Sequence, residues 1–437
     1  MDTQTEFICK TMINQPIINI GMIGHVANGK STLTADITGT ATQKHKDEQS
    51  RNITIHLGYA NAKIWKCLKC DAPSCYQSSD SSTFNYNCKK CKSSCKLMTH
   101  ISFTDVPGHD LLISTMMNGT CVMDYTILVE SISNDNFPAP QTIEHLNITK
   151  KNNIEPKLVC LNKIDLLLND KPRAQTYIDN IRNYMSKEQN ISNIPIIPIS
   201  GSHKCNVDVV CEYIASLAIP KKNIDDDFKM YIVRSFNINK PGTHIKDLKG
   251  GVVGGCLQKG IIYLNDDIII SPGIVKKNND KDPKSDWKYT PLIGKVISIN
   301  TDKNELKYAI PGGLIAVQLN IDPGTSCGDR LVGQLMFKKD SSTMKIYEEL
   351  KIKLIEYNED EKVKKSDKLK INVNANNVEC TITKTSSNHI YLKLDIPVCV
   401  EDCDKVTLSF SSKNTKKKSG IFGYGHIVQG IESIIAN

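Results

Sequence analysis

The sequence predicts an α/β domain, with a mostly parallel sheet and helices on both of its faces, followed by two β-barrels. Between residues 17 and 219, apolar runs with strand character alternate with helical segments. This alternation is typical of a parallel sheet whose strands are connected by helices. After residue 227 helical periodicity almost disappears, and short β-rich segments recur between Gly, Pro, Asn and Asp residues. Such a pattern indicates β-barrels.

The elements of the α/β domain follow one another in a regular order. Each predicted strand is a short apolar run bounded by turn residues, and each predicted helix follows such a run. The predicted strands are "IINIGMIG", "HISFTDV", "DYTILVES", "PKLVCLNK" and "IPIIPIS". The predicted helices are "KSTLTADITG", "DLLISTMMNG", "PQTIEHLNITKKN", a segment from about Lys171, and "VDVVCEYIASLA".

The domain boundaries are predicted from changes in this pattern. The segment "IPKKNIDDD" at 219–227 combines a proline with charges and is typical of a linker. We therefore expect the α/β domain at 1–222, with an insert at about 65–96, a first barrel at 228–338 and a second barrel at 345–437.

The composition is that of an ordinary globular protein. The chain has 437 residues, of which 40% are hydrophobic and 23% charged, and its net charge of +8 permits a polyanionic partner without requiring one. No apolar run approaches the ~20 residues that span a bilayer, and the polar start "MDTQTEFICK" lacks the apolar core of a secretion signal. We therefore expect a cytoplasmic protein with no membrane partner. In that reducing compartment, clusters among the sixteen cysteines are expected to bind metal rather than form disulfides.

The stretch "GHVANGKS" has the G-x-x-x-x-G-K-S spacing of a phosphate-binding loop and lies between a predicted strand and a predicted helix. In this context backbone N–H groups surround the phosphates, Lys30 contributes a positive charge, and the Ser31 hydroxyl binds Mg²⁺. The alternative is a Gly-rich turn with Lys30 in solvent. The expected phosphate-binding residues are Ala27, Asn28, Gly29, Lys30, Ser31 and Thr32.

The segment "NKID" after the strand "PKLVCL" indicates which base is bound. Asp165 can accept two hydrogen bonds from guanine, whereas adenine would leave this carboxylate unpaired. Asn162 and Lys163 are expected to brace the loop and cover the base. A short loop after the fifth strand can contact the guanine edge, although its sequence alone is typical of an ordinary loop. It comprises Ser200, Gly201 and Ser202.

The segment "DVPGHD" at 105–110 predicts a sensor of the γ-phosphate. Asp105 can hold Mg²⁺ through a water, and the Gly108 N–H can donate to the γ-phosphate. His109 could orient the attacking water, or it could simply cap the following helix. In "RNITIHLGYA", Thr54 is expected to join Ser31 as a magnesium ligand, so that loss of the γ-phosphate would release its loop.

Two C-x₂-C pairs separated by seventeen residues match the spacing of a structural zinc site. They comprise Cys67, Cys70, Cys88 and Cys91. Four thiolates leave no open position, so nothing indicates catalytic zinc. The alternative is four reduced thiols without metal, and Cys75 and Cys95 lie close enough in sequence to enter the ligand set.

Together these motifs resemble those of the translational GTPases of the elongation factor Tu-like superfamily. More narrowly, they resemble the γ subunits of eukaryotic and archaeal translation initiation factor 2. That closer likeness is carried by "RNITIHLGYANAKIWKC", the cysteine pairs before "ISFTDVPGHD", "QTIEHL", "SFNINKPGTHIKDLKGGVVGGCLQKG", "YAIPGGLIAVQLNIDP" and "RLVGQL". The family usually has histidine where Asn28 stands. We expect the loop there to offer mainly its backbone N–H.

The resemblance implies a P-loop GTPase domain followed by two barrels, with GTP or GDP, Mg²⁺ and structural Zn²⁺ as bound groups. It implies GTP-dependent carriage of initiator methionyl-tRNA to the small ribosomal subunit, with release after GTP hydrolysis at the start codon. The implied protein partners are the α and β subunits of the same factor and a GTPase-activating initiation factor. The alternatives are an elongation-type tRNA carrier, general or selenocysteine-specific, and a scaffold that binds GTP without hydrolysing it usefully.

Overall fold

A computed structural model describes most of the chain. The described residues are 3–42, 54, 57–108, 113–133, 137–167, 170–278, 287–339, 345–357, 363–386, 388–410, 420–432 and 434–435. They form two compact units. The first lies within Met1–Lys222, Asn300–Leu306 and Pro311–Ile315, and the second within Asn223–Ile299, Lys307–Ile310 and Ala316–Asn437.

A seven-stranded mixed sheet forms the centre of the first unit. Its strands are β1 (Ile18–Ile23), β2 (Gly58–Cys67), β3 (Tyr76–Asp80), β4 (Cys95–Asp105), β5 (Tyr125–Ser131), β6 (Pro156–Asn162) and β7 (Ile196–Pro198). Their order is β3-β2-β4-β1-β5-β6-β7. The pairs from β4 to β7 are parallel, whereas β2 is antiparallel to both of its neighbours. Strand β1 is buried along its whole length, as expected of a central strand with both faces covered.

Helices lie before, between and after these strands along the chain. They are α1 (Thr3–Thr11), α2 (Lys30–Thr38), α3 (Ile113–Thr120), α4 (Pro140–Lys151), α5 (Lys171–Lys187), α6 (Val207–Ser216) and the 3₁₀ helix Ile164–Leu167. Gly39 ends α2 in the left-handed region, with φ of 70°. The sequence did not predict α1, because this short polar helix buries little more than Ile8 and Thr11.

The carboxyl ends of β1, β4, β5 and β6 lie at one edge of the sheet, which is where open α/β sheets bind ligands. Strands β3 and β2 are the outermost strands on one side of the sheet, next to β4, and they carry the cysteine-rich insert. Two segments from the predicted first-barrel range also belong to the first unit. One of them is anchored by Asn304, whose Nδ2 donates to Asn14 O and Ser81 O at 3.0 Å each.

The first barrel of the second unit is built from strands of four to fifteen residues. The strands of this region are β8 (Lys229–Phe236), β9 (Val252–Lys259), β10 (Ile262–Tyr263), β11 (Asp267–Lys277), β12 (Trp287–Thr301), β13 (Asn304–Leu306), β14 (Tyr308–Ala309), β15 (Ile315–Leu319) and β16 (Leu335–Lys338). Six of them form the barrel in the order β11-β16-β8-β9-β15-β12, closed by pairing of β11 with β12. The helical turns of this region are Ile245–Asp247, α7 (Pro323–Ser326) and Cys327–Asp329.

The second barrel is closed in the order β17-β20-β19-β18-β21-β22. Its strands are β17 (Lys345–Tyr357), β18 (Lys368–Val373), β19 (Asn376–Ser386), β20 (His389–Val400), β21 (Lys405–Phe410) and β22 (Ile421–Glu432), and a final strand β23 (Ile434–Ile435) pairs with β12. Apolar side chains from alternate positions fill its interior, among them Leu350, Ile371, Leu392 and Leu408.

The predicted fold class, an α/β domain followed by two β-barrels, is confirmed. The domain limits at 222, 228–338 and 345–437 stay predictions. Within the described part of the chain, none of the helices has both the length and the apolar character that crossing a membrane requires.

Candidate functional site

A cavity of about 550 Å³ lies in the first unit, where loops follow β1, β4, β6 and β7. This volume is typical of cofactor and small-molecule sites. The lining residues are Val26, Ala27, Gly29, Lys30, Ser31, Thr32, Ala35, Ala41, Thr42, Thr54, Gly108, Asn162, Lys163 and Ser202. The structure therefore brings most of the predicted nucleotide-binding residues to one cavity.

The backbone between β1 and α2 is shaped by residues with positive φ. Gly24 has φ of 131°, and a Cβ there would lie 2.2 Å from Val129 O. Gly29 precedes α2 with φ of 94°, and a Cβ there would lie 2.2 Å from Asn162 Nδ2. Neither position has room for a side chain. Because Gly29 offers no side-chain cap to α2, the N–H groups of the first helical turn remain suited to an anion.

Lys30 is buried at the start of α2 rather than exposed to solvent. Its side chain is 6% exposed, and Nζ donates to Gly24 O and His25 O at 2.9 Å each. Burial lowers the pKa of Lys30 to about 8, while the charges of Asp105 and Glu130 oppose this shift. The alternative of a lysine in solvent is wrong. Lys30 instead holds a positive charge against the loop that lines the cavity.

Asn28 connects the phosphate loop to two neighbouring strands. Its Nδ2 donates to Val129 O at 3.0 Å, and its own carbonyl accepts from Asn162 Nδ2 at 2.9 Å. The residue is 1% exposed and is absent from the cavity lining. Its side chain thus has a structural contact in addition to the backbone role expected from the sequence.

The two predicted base-binding loops are joined by hydrogen bonds. Ser200 Oγ donates to Asp165 Oδ1 at 2.6 Å, and this bond is the main reason why the pKa of Asp165 lies below its usual value. Asn162 Oδ1 accepts from Lys163 N at 2.8 Å and from Gly201 N at 3.1 Å. An ionised carboxylate and fixed loop amides are thereby held next to the cavity. Such groups can read a purine edge.

The residues predicted to bind magnesium meet near the first turn of α2. Ser31 Oγ and Thr54 Oγ1 are 3.0 Å apart. Asp105 is fully buried, and its Oδ2 accepts from Thr42 Oγ1 at 2.6 Å, whereas Oδ1 has no hydrogen-bond partner among the described residues. Burial raises the pKa of Asp105, and the hydroxyls of Ser31 and Thr42 offset part of that effect. Hydroxyls around a buried carboxylate form an oxygen-rich set of donors that fits Mg²⁺.

Gly108 approaches the phosphate loop closely. A Cβ at this position would lie 2.6 Å from Lys30 Nζ and 2.9 Å from Val26 N. This close approach requires glycine and brings its backbone to the cavity, which it lines. The predicted catalytic residue His109 lies outside the described residues.

Two buried residues beside the phosphate loop were missed from the sequence. Glu130 in β5 is fully buried; its Oε2 accepts from Asn28 Nδ2 at 3.1 Å, and its Oε1 accepts from the Thr142 hydroxyl. His145 in α4 accepts from Gly24 N at 3.1 Å, and burial lowers its pKa to about 3. A charged residue within the apolar run "TILVES" was a usable signal for Glu130, because unpaired carboxylates are rarely buried.

Four sulfur atoms meet at the tip of the cysteine-rich insert. The Sγ atoms of Cys67, Cys70, Cys88 and Cys91 all lie within 4.8 Å of one another. Cys67 Sγ lies 3.4 Å from Cys91 Sγ, and Cys70 Sγ lies 3.7 Å from Cys88 Sγ. Tetrahedral zinc with Zn–S bonds of about 2.3 Å separates its sulfurs by roughly 3.8 Å. The spacing of these side chains therefore fits zinc.

The thiols of this cluster differ: hydrogen bonds lower the pKa of Cys91, whereas the hydrogen bond with Cys91 raises the pKa of Cys70 to about 12. Backbone N–H groups of Cys91 and Lys90, together with Gln77 Nε2 at 3.2 Å, lower the pKa of Cys88 to about 6. Cys75 and Cys95 pack against the cluster but are not among the four sulfurs that converge. A set of four thiols with N–H donors to sulfur is the chemistry of a closed structural zinc site.

Family models match the α/β domain and the second barrel. The elongation factor Tu GTP binding domain matches residues 15–220. A second model, initiation factor eIF2 gamma, C terminal, matches residues 342–427. The first match covers the phosphate loop and the base-binding loops, and the second covers most of the second barrel.

Solved structures with the same fold include two elongation factors. A bacterial selenocysteine-specific elongation factor, EF-Sec, superposes with a TM-score of 0.67 at 20% identity over 94% of this chain, which spans 58% of that structure's length. The translation elongation factor SelB of Methanococcus maripaludis, with the GTP analogue GppNHp, gives a TM-score of 0.66 at 20% identity over 96% of this chain and 80% of its own. At this identity the likeness concerns the fold alone.

Curated relatives are similar along nearly the whole sequence. Eukaryotic translation initiation factor 2 subunit gamma of Schizosaccharomyces pombe is 37% identical over 95% of this chain and 94% of its own. Eukaryotic translation initiation factor 2 subunit 3 of Drosophila melanogaster is 37% identical over 95% of this chain and 89% of its own. The chain therefore belongs to the γ-subunit family of eukaryotic translation initiation factor 2.

Proposed function

We propose that this protein is the GTP-hydrolysing core of an initiation factor that carries initiator methionyl-tRNA to the small ribosomal subunit. One observation supports this most strongly. A cavity that combines a phosphate loop with a guanine-reading carboxylate occurs in a chain whose second barrel matches the initiation factor eIF2 gamma family. The elongation-type carrier is disfavoured by the same match.

The phosphates of GTP are assigned to the first turn of α2 and the loop before it. Backbone N–H groups of this loop would donate to the phosphate oxygens, and the positive charge of Lys30 would offset the negative charge of the phosphates. Guanine is assigned to Asp165, with Lys163 against the base and Ser202 at its edge. The loop residues that complete this set are Ala27, Asn28, Gly29, Ser31, Thr32, Gly108, Asn162, Ser200 and Gly201.

Magnesium is assigned to the hydroxyls of Ser31 and Thr54, with Asp105 holding the ion through water. Bound Mg²⁺ neutralises charge on the β- and γ-phosphates. Loss of the γ-phosphate would release the loop that carries Thr54, and the Gly108 N–H would respond to the same group. These two residues would make nucleotide state a switch between binding and release of tRNA.

Hydrolysis is assigned to His109, which follows Gly108 in the sequence. A neutral imidazole there would accept a hydrogen bond from the attacking water and orient it toward the γ-phosphate. Intrinsic hydrolysis in such proteins is slow without an activator. We therefore expect a GTPase-activating initiation factor and start-codon recognition to be needed for rapid turnover.

The proposed assembly is a cytoplasmic heterotrimer with the α and β subunits of the same factor. Zinc, held by the four clustered cysteines, would stabilise the fold of the insert and take no part in catalysis. Copurification from the native cell, with mass spectrometry of bound proteins and sequencing of bound tRNA, tests these partners. Recovery of elongation partners in place of α and β subunits would contradict the assignment.

Filter binding tests the tRNA proposal. We expect methionyl initiator tRNA to be retained with a non-hydrolysable GTP analogue and to be retained far less with GDP. Methionyl elongator tRNA serves as the matched control, because it carries the same amino acid. Equal retention of both tRNAs in the GTP state would refute the initiation role and favour the elongation alternative.

Single-turnover hydrolysis on a reconstituted initiation complex tests His109. His109→Ala is expected to slow hydrolysis while leaving GTP affinity within about three-fold, since the imidazole is assigned to water and not to nucleotide. His244→Ala, at an exposed position, is the matched control and should hydrolyse GTP at the wild-type rate. Equal rates for the wild type and His109→Ala would remove His109 from the mechanism.

A further inference from the structure

A buried carboxylate is hydrogen-bonded to the phosphate loop. Glu130 lies in β5 and is fully buried. Its Oε2 accepts from Asn28 Nδ2 at 3.1 Å, and its Oε1 accepts from the hydroxyl of Thr142 in α4. The Asn28 amide nitrogen also donates to Val129 O at 3.0 Å. One side chain thus links a strand, a helix and the loop.

The surroundings of Glu130 suit a buried carboxylate. Thr142 is in the first turn of α4, which begins at Pro140, and the positive end of a helix dipole stabilises a nearby anion. The buried ammonium of Lys30 interacts favourably with the same carboxylate. Two hydrogen bonds and a nearby cation are the conditions under which a buried charge is tolerated.

Asn28 is held from both sides. Its side chain is fixed by Glu130, and its carbonyl accepts from Asn162 Nδ2 at 2.9 Å. The next residue, Gly29, has φ of 94° and directly precedes α2. A change in the position of Asn28 would therefore rotate the N–H groups that follow it, because Gly29 offers little resistance to rotation.

We propose that Glu130 is a positioning residue of the nucleotide site, which fixes the phosphate loop through Asn28 and thereby sets the affinity for guanine nucleotides. The inference rests on the proposed function, since it presumes that the loop binds phosphate. Glu130 is absent from the cavity lining, so its effect reaches the nucleotide through Asn28 and not by contact.

Two substitutions separate the role of the hydrogen bonds from the mere presence of a side chain. Glu130→Ala removes the acceptor of both Asn28 and Thr142. Glu130→Gln keeps the shape: its oxygen can accept from Asn28 Nδ2, and its amide can donate to the Thr142 hydroxyl. Rescue by glutamine is therefore expected if hydrogen bonds to the loop matter.

The experiment measures the dissociation constants of fluorescent GDP and GTP analogues for the purified full-length chain, together with its thermal unfolding. Glu130→Ala is expected to weaken binding of both nucleotides by about 10- to 100-fold, because binding would then have to restore the loop geometry that these buried hydrogen bonds hold in the wild type. Glu130→Gln should stay within about three-fold of the wild type. Wild-type affinity in Glu130→Ala would overturn the proposal.

A double-mutant cycle tests the route through Asn28. Asn28→Ala alone should weaken binding by a similar factor, and the double variant should be no more than about three-fold weaker than the worse single variant. Multiplied effects would show that Glu130 acts elsewhere and would overturn the proposal. Asn28→Ala and Glu130→Gln also keep the test decisive if Glu130→Ala fails to fold.

A carboxylate next to the other end of β5 provides the matched control. Asp124 accepts from Asn19 N at 2.8 Å and from Lys222 Nζ at 2.7 Å, and it precedes β5 by one residue. Asp124→Ala should lower the unfolding temperature without changing nucleotide affinity. A loss of affinity equal to that of Glu130→Ala would reduce Glu130 to a structural role. Failure of the wild type to bind guanine nucleotides would instead refute the proposed function.

Discussion

Ser200 Oγ donates a hydrogen bond of 2.6 Å to Asp165 Oδ1, and so joins the loop after β7 to the loop after β6. This contact gives the carboxylate a fixed orientation and lowers its pKa. Because an ionised carboxylate accepts and never donates hydrogen bonds, it favours a base edge with two donors. Guanine presents such an edge, and adenine does not.

Asp165→Asn is predicted to change base specificity from guanine to xanthine. The asparagine amide can donate to the xanthine 2-oxo group while its oxygen accepts from N1–H, whereas guanine places a donor against the new donor. Affinity for GTP should fall by about 100-fold or more, because one hydrogen bond is replaced by a contact between two donors and the other loses its charge assistance. Competition between GTP and xanthosine triphosphate for a fluorescent nucleotide measures both changes.

Ser200→Ala supplies the graded comparison for this prediction. It removes one donor to Asp165 but leaves the carboxylate in place, so GTP affinity should fall only about 2- to 10-fold with guanine preference retained. If Asp165→Asn kept wild-type GTP affinity, the segment "NKID" would not be the base reader, whatever the effect of Ser200→Ala.

The purified protein is predicted to contain about one zinc per chain, held by the four clustered cysteines. Cys91→Ser should lose the metal and lower the unfolding temperature of the insert, since metal binding contributes directly to the folding of such sites. Metal analysis by mass spectrometry, with unfolding followed on the same samples, measures both effects.

Cys95→Ser is the matched control for the zinc site. Cys95 packs against the cluster without belonging to the four sulfurs that converge, so this variant should keep its zinc. Zinc loss in Cys95→Ser with retention in Cys91→Ser would show that the ligand set is different. A folded wild type free of metal would show that the four cysteines do not require it.

Local features of the site could be predicted from the sequence, whereas contacts between distant segments could not. The loop "GHVANGKS" and the segment "NKID" could be recognised because their backbone geometry is encoded within a few residues, including Gly24 and Gly29, where a side chain would collide. The spacing of two C-x₂-C pairs likewise predicted the four cysteines that meet. Alternating strands and helices predicted the sheet for the same reason, since each pattern is local.

The residues that form hydrogen bonds with these motifs from distant parts of the chain could not be predicted in this way. Glu130 contacts Asn28 across 102 residues, and His145 contacts Gly24 across 121. Their identities as hydrogen-bond partners depend on which strands and helices become neighbours, which no single segment encodes. The role of Thr42 as a partner of Asp105 was hidden for the same reason, because its loop has no motif of its own.

Asn304→Ala is predicted to destabilise the first unit by about 1–3 kcal/mol, because buried acceptors would lose their donor. Asn304 Nδ2 donates to Asn14 O and Ser81 O at 3.0 Å each and to Ser81 Oγ at 3.2 Å. Urea unfolding followed by the fluorescence of buried Trp65 measures the change, in a Trp287→Phe background that leaves this single tryptophan in the chain. Asn388→Ala, an exposed asparagine of the second barrel, should leave the Trp65 transition unchanged.

Stability of the first unit is predicted to decrease on acidification because of His100. Its Nδ1 lies 3.0 Å from Met12 O and its Nε2 lies 2.9 Å from Ser81 Oγ. The Met12 carbonyl can only accept, so Nδ1 carries the proton of a neutral ring. Nε2 then accepts from the Ser81 hydroxyl, whose oxygen in turn accepts from Asn304. Burial, assisted by the charge of Lys63, lowers the pKa of His100 to about 3.

The sign of the pH effect follows from that shift. Between pH 6.5 and about 3, the unfolded chain binds a proton at His100 that the folded chain excludes, so the free energy of unfolding falls as the pH is lowered through this window. One such histidine lowers the free energy of unfolding by about 2 kcal/mol at pH 5 relative to pH 8. His100→Gln is expected to be less stable at neutral pH, yet to lose about 2 kcal/mol less than the wild type between pH 8 and pH 5. The same Trp65 transition measures both variants, and parallel pH profiles would show that the pKa of His100 does not change on unfolding.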